Sequence, residues 1–497
     1  MRLWQTANDH PRGVRRTAWA AGCALLALIF FCGALALTAS AVGGLLVARA
    51  DGFAVLPGIT ERVDKADAAT PSEPADDEGV APLPEQDATA GVPEGRIAFV
   101  SPRGHLGTVA PDGSNERIVS AGDEIFLFPA WSPDGQRLAA IGGDDEQAGV
   151  YTFADVADSE GHLLYQSDEQ APVYLYWAPD SRRVSFIAGT EADDGFGLYL
   201  APADGSEESR LLATGQPFYW DWMGDGERLL IHSGSVSRDA QLAFVDVAAG
   251  AAGDNLARPG FFQAPVASAD DRFVAYGEYE SVSERWLVVR EQDGREAVRL
   301  PHEGAIAMGW SPTGGELAFI TPPEEASPRM FDYFGPLQLV DAETGVTRTL
   351  AAGTVLGFFW SPDGRSIAYL TVADVGREQN AEGAPFRQTA AAEIIPVRAA
   401  GVPVQQEHPE LLFHLWLAEV EDGESRLLLT FQPVDLFLTQ FLPFFDQYAL
   451  SHRLWSPDSR ALVLPVQEGE ASRIYVIAAD GSGKRAVARG NMAFWSR

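Results

Sequence analysis

Five residues, Trp131-Ser132-Pro133-Asp134-Gly135, return as Trp360-Ser361-Pro362-Asp363-Gly364 and Trp455-Ser456-Pro457-Asp458-Ser459. Looser copies begin at Trp177, Trp222 and Trp310, a decayed one at Ala267, and the last residues, Trp495-Ser496-Arg497, open another. The phrase is turn chemistry: Pro presets φ, Asp or Ser can bond nearby backbone N–H groups, and Gly accepts positive φ. Apolar runs of strand length flank each copy, such as Leu356 to Phe359 before and Ile367 to Leu370 after. Two such runs joined by this turn predict a β-hairpin.

The interval sets the architecture. From Trp131 to Trp360 the copies lie 43–50 residues apart, followed by steps of 95 to Trp455 and 40 to Trp495. A period near 40–45 with room for four strands is the spacing of propeller blades. Strands C and D meet at Asp-Gly or similar turns, as at Gly205, Gly294, Gly423 and Gly481. Arg96 to Val100 reads as a strand B with no strand A before it, and Met492 to Trp495 as a strand A with nothing after it. Pairing the two completes a first blade and leaves no open edge. The expectation is an all-β, eight-bladed propeller of four-stranded antiparallel blades over residues 95–497, closed by the C-terminal strand. The 95-residue step lacks a second turn phrase, so it is read as one blade with insertions.

These copies resemble the TolB-type WD40-like β-propeller repeats over residues 96–497. The resemblance implies a binding scaffold and names no partner.

Ahead of the repeats, residues 1–16 carry Arg2, Arg12, Arg15 and Arg16, and residues 17–48 carry no charge at all. About 20 apolar residues span a bilayer, so 17–48 is expected to be a transmembrane signal-anchor helix with a cytoplasmic amino terminus and an extracytoplasmic propeller. Ala39-Ser40-Ala41 offers the competing reading of a cleavage site that would release a secreted form. Residues 49–94 form an acidic, Pro/Ala-rich linker expected to be disordered. Anchor plus eight-bladed propeller also looks like the dipeptidyl peptidase IV-like proteins without their hydrolase domain.

Both cysteines, Cys23 and Cys32, fall in the apolar segment, so residues 49–497 hold no disulfide or thiolate site. The net charge is −34, with Lys only at 65 and 484, which argues against nucleic-acid binding. There is no Gly-x-Ser-x-Gly elbow, and the eight histidines form no metal-binding spacing. Asp144-Asp145 and Asp193-Asp194 suit calcium chemically but read equally as solvated loop tips. No catalytic residue, cofactor or metal is assigned.

Strand alternation puts A–B and C–D turns on one face of the ring and B–C loops and D–A links on the other. The long departures, 322–334, 374–410 and 432–448, all belong to the second face. They carry Phe331, Tyr333, Phe334, Phe437, Phe441, Phe444, Phe445 and Tyr448, the candidate anchors for a protein or cell-envelope partner. Two alternatives stand beside that reading. Leu436 to Phe445 could instead fold down as a buried cap, and the same face could hold a propeller lyase or hydrolase site at the pore mouth.

Overall fold

The computed structural model describes residues 92–497 except 121, 145, 191–194, 235–238, 282, 324–332 and 374–410. Eight antiparallel sheets follow one another along the chain. Blade 1 is assembled from both ends: Met492–Trp495 is strand A, followed by Ile97–Val100, Leu106–Val109 and Arg117–Ile118. Ile97 pairs with Trp495 and Val100 with Met492. No sheet curls into a closed barrel; each blade is a separate sheet. Strands A of blades 2 to 7 are Ile125–Trp131, Pro172–Trp177, Phe218–Trp222, Val266–Ala267, Ala307–Trp310 and Gly357–Trp360. Blade 8 departs from the expected four strands. Its sheet has three, Ala461–Glu468, Ala471–Ala478 and Lys484–Arg489, and strand A is reduced to a single bridge between Trp455 and Leu462.

The repeated phrase makes the turn its chemistry calls for. Ser132 Oγ donates to Asp134 Oδ1 (2.6 Å) and accepts from Arg137 N (3.0 Å), while Gly135 N closes the turn on Ser132 O at 2.8 Å with φ of 68°. A second role lies beyond the sequence. Trp131, Trp177, Trp310, Trp360 and Trp455 each donate Nε1–H to a strand A carbonyl of the preceding blade: Phe494, Ala130, Val266, Gly309 and Phe359. In every case the acceptor immediately precedes that blade's own motif position. The indole therefore fills the wedge between blades and fixes their register with a directional bond.

Two expectations are corrected here. Residues 1–91, which include the basic terminus, the 17–48 segment and most of the linker, lie outside the described residues. No helix among the described residues is long and apolar enough to cross a membrane. The described fold is the propeller, with no transmembrane helix found among the described residues. The membrane-anchored scaffold, the single-pass topology and the anchor half of the dipeptidyl peptidase IV-like likeness therefore find no support in the structure. Finally, four strands are not completed as a sheet in blade 8.

Candidate functional site

The D–A link between blades 7 and 8 runs into the centre of the ring. It forms one π-helical turn (Phe437–Phe441), a 3₁₀ turn (Leu442–Phe444) and helix α1 (Phe445–Ser451). The local sequence from Leu436 to Phe445 is apolar at every position but Thr439 and Gln440, and so apolar a segment is stable only when most of it is covered. The ring supplies the surroundings. Phe441 stacks on Phe437, Phe359 and Tyr448 and leans on Phe494, while Phe445 meets Phe358, Phe359 and Tyr333. Tyr448 stacks on Phe128 at 5.2 Å and meets the edge of Tyr174. Gly357 is needed for the approach, because a Cβ there would sit 3.2 Å from the Phe445 ring.

Polar groups complete the plug. Strand A of a propeller leaves backbone N–H and C=O groups along its inner edge, and buried ones need partners. Gln447 provides an amide that pairs like a strand: Oε1 accepts from Trp220 N (3.0 Å) and Nε2 donates to Trp220 O (2.8 Å). Asp446 Oδ2 accepts from Ala264 N at 3.3 Å. Gln263 Nε2 donates to Pro443 O at 3.0 Å, and Tyr333 OH to Leu442 O at 3.2 Å. A donor chain runs from Gln447 Nε2 to Tyr174 OH, on to Ser451 Oγ and then to His452 Nδ1, whose Nε2–H donates to Phe128 O. That assignment requires a neutral imidazole, and burial does push the His452 pKa down to about 4.

The aromatic candidates are thus placed as follows. Phe437, Phe441, Phe445, Tyr448 and Tyr333 are buried in the channel core, with Phe441 3% and Phe445 1% exposed. Phe334 and Phe444 are half-buried against the same cluster. Phe331 lies outside the described residues. A partner could touch the buried five only by displacing the plug, so their contacts here are structural. Of the acid pairs, Asp145, Asp193 and Asp194 lie outside the described residues, and Asp144 caps its own loop by accepting from Glu146 N and Gln147 N. Among the described residues no three His, Cys, Asp or Glu side chains converge as a metal site.

What the face does present is a cleft beside the plug, over blades 2 to 4. Half-buried Leu127, Val173, Gln440 and Phe444 form its rim, and buried Phe128, Tyr174, Phe218 and Tyr219 its floor. It is open at its mouth, and its lining is mostly apolar. Sequence reasoning did not find it, because its walls come from ordinary strand A residues of three blades and only Phe444 and Tyr448 were among the candidates.

Asp446 and Asp221 are buried carboxyls with no cation beside them, and desolvation raises both pKa values to about 7. Unfolded, each titrates near the ordinary carboxyl value of 3.8. Between about pH 4 and 7 the unfolded chain holds fewer protons than the folded one at these sites, so their contribution falls as pH rises. Asp446→Asn lacks that loss. Its stability relative to wild type should therefore climb across pH 4–7, by up to about 1.4 kcal/mol per unit. Urea denaturation of both proteins at several pH values checks this, and a constant difference contradicts it.

Fold and site define the class: an eight-bladed β-propeller with a channel plugged by its own D–A link. No protein-family model and no curated protein matches the sequence. Among solved structures the chain is similar to the putative TolB from Agrobacterium tumefaciens, at 20% identity over 55% of this chain and 96% of that one, TM-score 0.33. TolB from Acinetobacter baumannii matches at 18% identity over 53% and 65%, TM-score 0.33. A structure described as the eukaryotic initiation factor matches at 12% identity over 81% and 98%, TM-score 0.46. The likeness to TolB-type propellers is weak and partial, and it bears on the fold alone.

Proposed function

We propose that this protein is a partner-binding propeller that receives an apolar group, such as a hydrophobic side chain of a protein partner, in the cleft beside the plug. The observation that carries the reading is the cleft itself: concave, open, walled by aliphatic and aromatic side chains, and bounded by a plug packed into the core. A concavity of this kind on the B–C/D–A face gives an anchor residue a pre-formed, desolvated seat. The seat is shallow, so neighbouring loops would share the contact. No catalytic step is proposed, because the titratable groups at the centre, Asp446 and His452, are sealed under the plug and already bonded.

Val173 supplies the test because its side chain lies at the rim. A photo-crosslinking residue at 173 should give discrete adducts in cells, whereas the same residue at Val346, 65% exposed on a C–D turn, should not. Val173→Asp puts a charge against the apolar wall and should also weaken binding of the apolar dye N-phenyl-1-naphthylamine by about tenfold. Equal dye binding, together with equal labelling at both positions, would overturn the proposal.

A further inference from the structure

At the other end of the channel, below the plug, lies a second and chemically different cavity. Trp131, Trp177 and Trp495 wall it, and Tyr176, Arg453 and Arg497 project into it. Pro133 and Pro179, both from A–B turns, form its lip, so it opens on the face opposite the apolar cleft. Its lining is more polar than apolar.

Arg453 is the informative residue. It lies two residues beyond α1, after His452, and its backbone is fixed by Trp495 N donating to Arg453 O at 2.8 Å. The side chain is only partly exposed, yet its guanidinium has no carboxylate, carbonyl or hydroxyl within bonding distance among the described residues. Several other half-buried arginines are paired, as Arg299 is with Glu278 and Arg96 with Asp155. The acid near Tyr176, Asp221, is already engaged, accepting from Tyr176 OH (3.3 Å) and Ala267 N (2.9 Å). Arg453 and Arg497 thus line the cavity together with no acidic side chain among its walls, and Arg453 forms no ion pair with the terminal carboxylate, in a chain holding 70 acidic residues against 36 basic ones. Burial, with Arg497 adding to it, lowers the Arg453 pKa to about 9, which shows how unfavourable the charge is without a counter-ion.

We infer that the cavity formed by Arg453, Arg497, Tyr176 and the three tryptophans is a binding site for a carboxylate group. A guanidinium fork matches a planar carboxylate, and Arg is the residue suited to such pairing in a partly dry site. A carboxylate carries a single charge, so the field of a chain at −34 opposes it less than it opposes a phosphate dianion. The cramped aromatic walls favour a flat group over a tetrahedral one. The ligand is thus a small carboxylic acid, or the carboxylate end of a larger molecule, entering from the A–B face. This site is independent of the apolar cleft, and either can fail alone.

Acetate is the probe. Thermal melts of the whole chain are recorded against sodium acetate, sodium phosphate and sodium chloride at constant ionic strength. Acetate should raise the melting temperature saturably, and phosphate and chloride should not. Arg453→Met removes the charge and keeps the volume; it should fold and lose acetate affinity by about tenfold or more. Arg453→Lys should retain part of the response. Arg497→Gln, at an exposed position, should weaken acetate several-fold, and it carries the test if Arg453→Met fails to fold. An equal acetate response in wild type, Arg453→Met and Arg497→Gln overturns the site, as does no response in the wild type. A stronger response to phosphate than to acetate overturns the carboxylate assignment.

Discussion

Removing Asn491 to Arg497 should abolish cooperative folding. The deletion takes strand A from blade 1 and leaves the Ile97–Val100 edge unpaired, ready to pair with another chain. It also removes two buried aromatics, Phe494 and Trp495, and the carbonyl that receives the Trp131 indole N–H. Each aromatic alone is worth about 3–5 kcal/mol by truncation. Together they approach the whole net stability of an ordinary domain, about 5–15 kcal/mol. The expected result is aggregation on size-exclusion chromatography and loss of the sharp melting transition. A truncated chain that stays monomeric and melts like the intact one shows that blade 1 does not need its C-terminal strand.

Phe441→Ala should lower the unfolding free energy by about 3–5 kcal/mol, the second largest effect expected. The side chain is the hub of the plug, in contact with rings from blade 7, blade 1, the π-turn and α1. Collapse around the cavity is restricted, because the surrounding rings are held by strands A of different blades. Chemical denaturation reads the loss. A change below about 1 kcal/mol is the range of exposed positions; it would mean that the segment lies on the surface, where the exposed-anchor reading put it. Phe444→Ala, only half-buried at the cleft rim, should cost distinctly less.

Much of the ring was legible because its determinants are local and repeated. The Trp-Ser-Pro-Asp-Gly turn is decided within five residues, as the Ser132–Asp134–Gly135 bonds show. Repetition at one interval then fixes the number of blades, since every copy must hold the same place in its own sheet. The pairing of Ile97 with Trp495, far apart in the chain, was also readable, because each end supplies the strand that the other lacks. Face assignment followed from strand alternation alone.

The centre was not legible in the same way. Leu436 to Phe445 is apolar but for Thr439 and Gln440, which calls for burial without naming the site, and both an exposed patch and a cap were compatible with its composition. The inner strands of the blades, converging on one axis, create a channel whose inner backbone edge needs partners. Only in the assembled ring does Gln447 stand opposite Trp220, Asp446 opposite Ala264 and His452 opposite Phe128. The apolar cleft and the unpaired Arg453 have the same origin. Their walls are contributed by residues of several blades, each ordinary in its own repeat, and only closure of the ring brings them together. The sequence determined what each blade is and how many there are. The tertiary structure alone decided what fills the space between them, because that depends on distances between segments that share no local pattern.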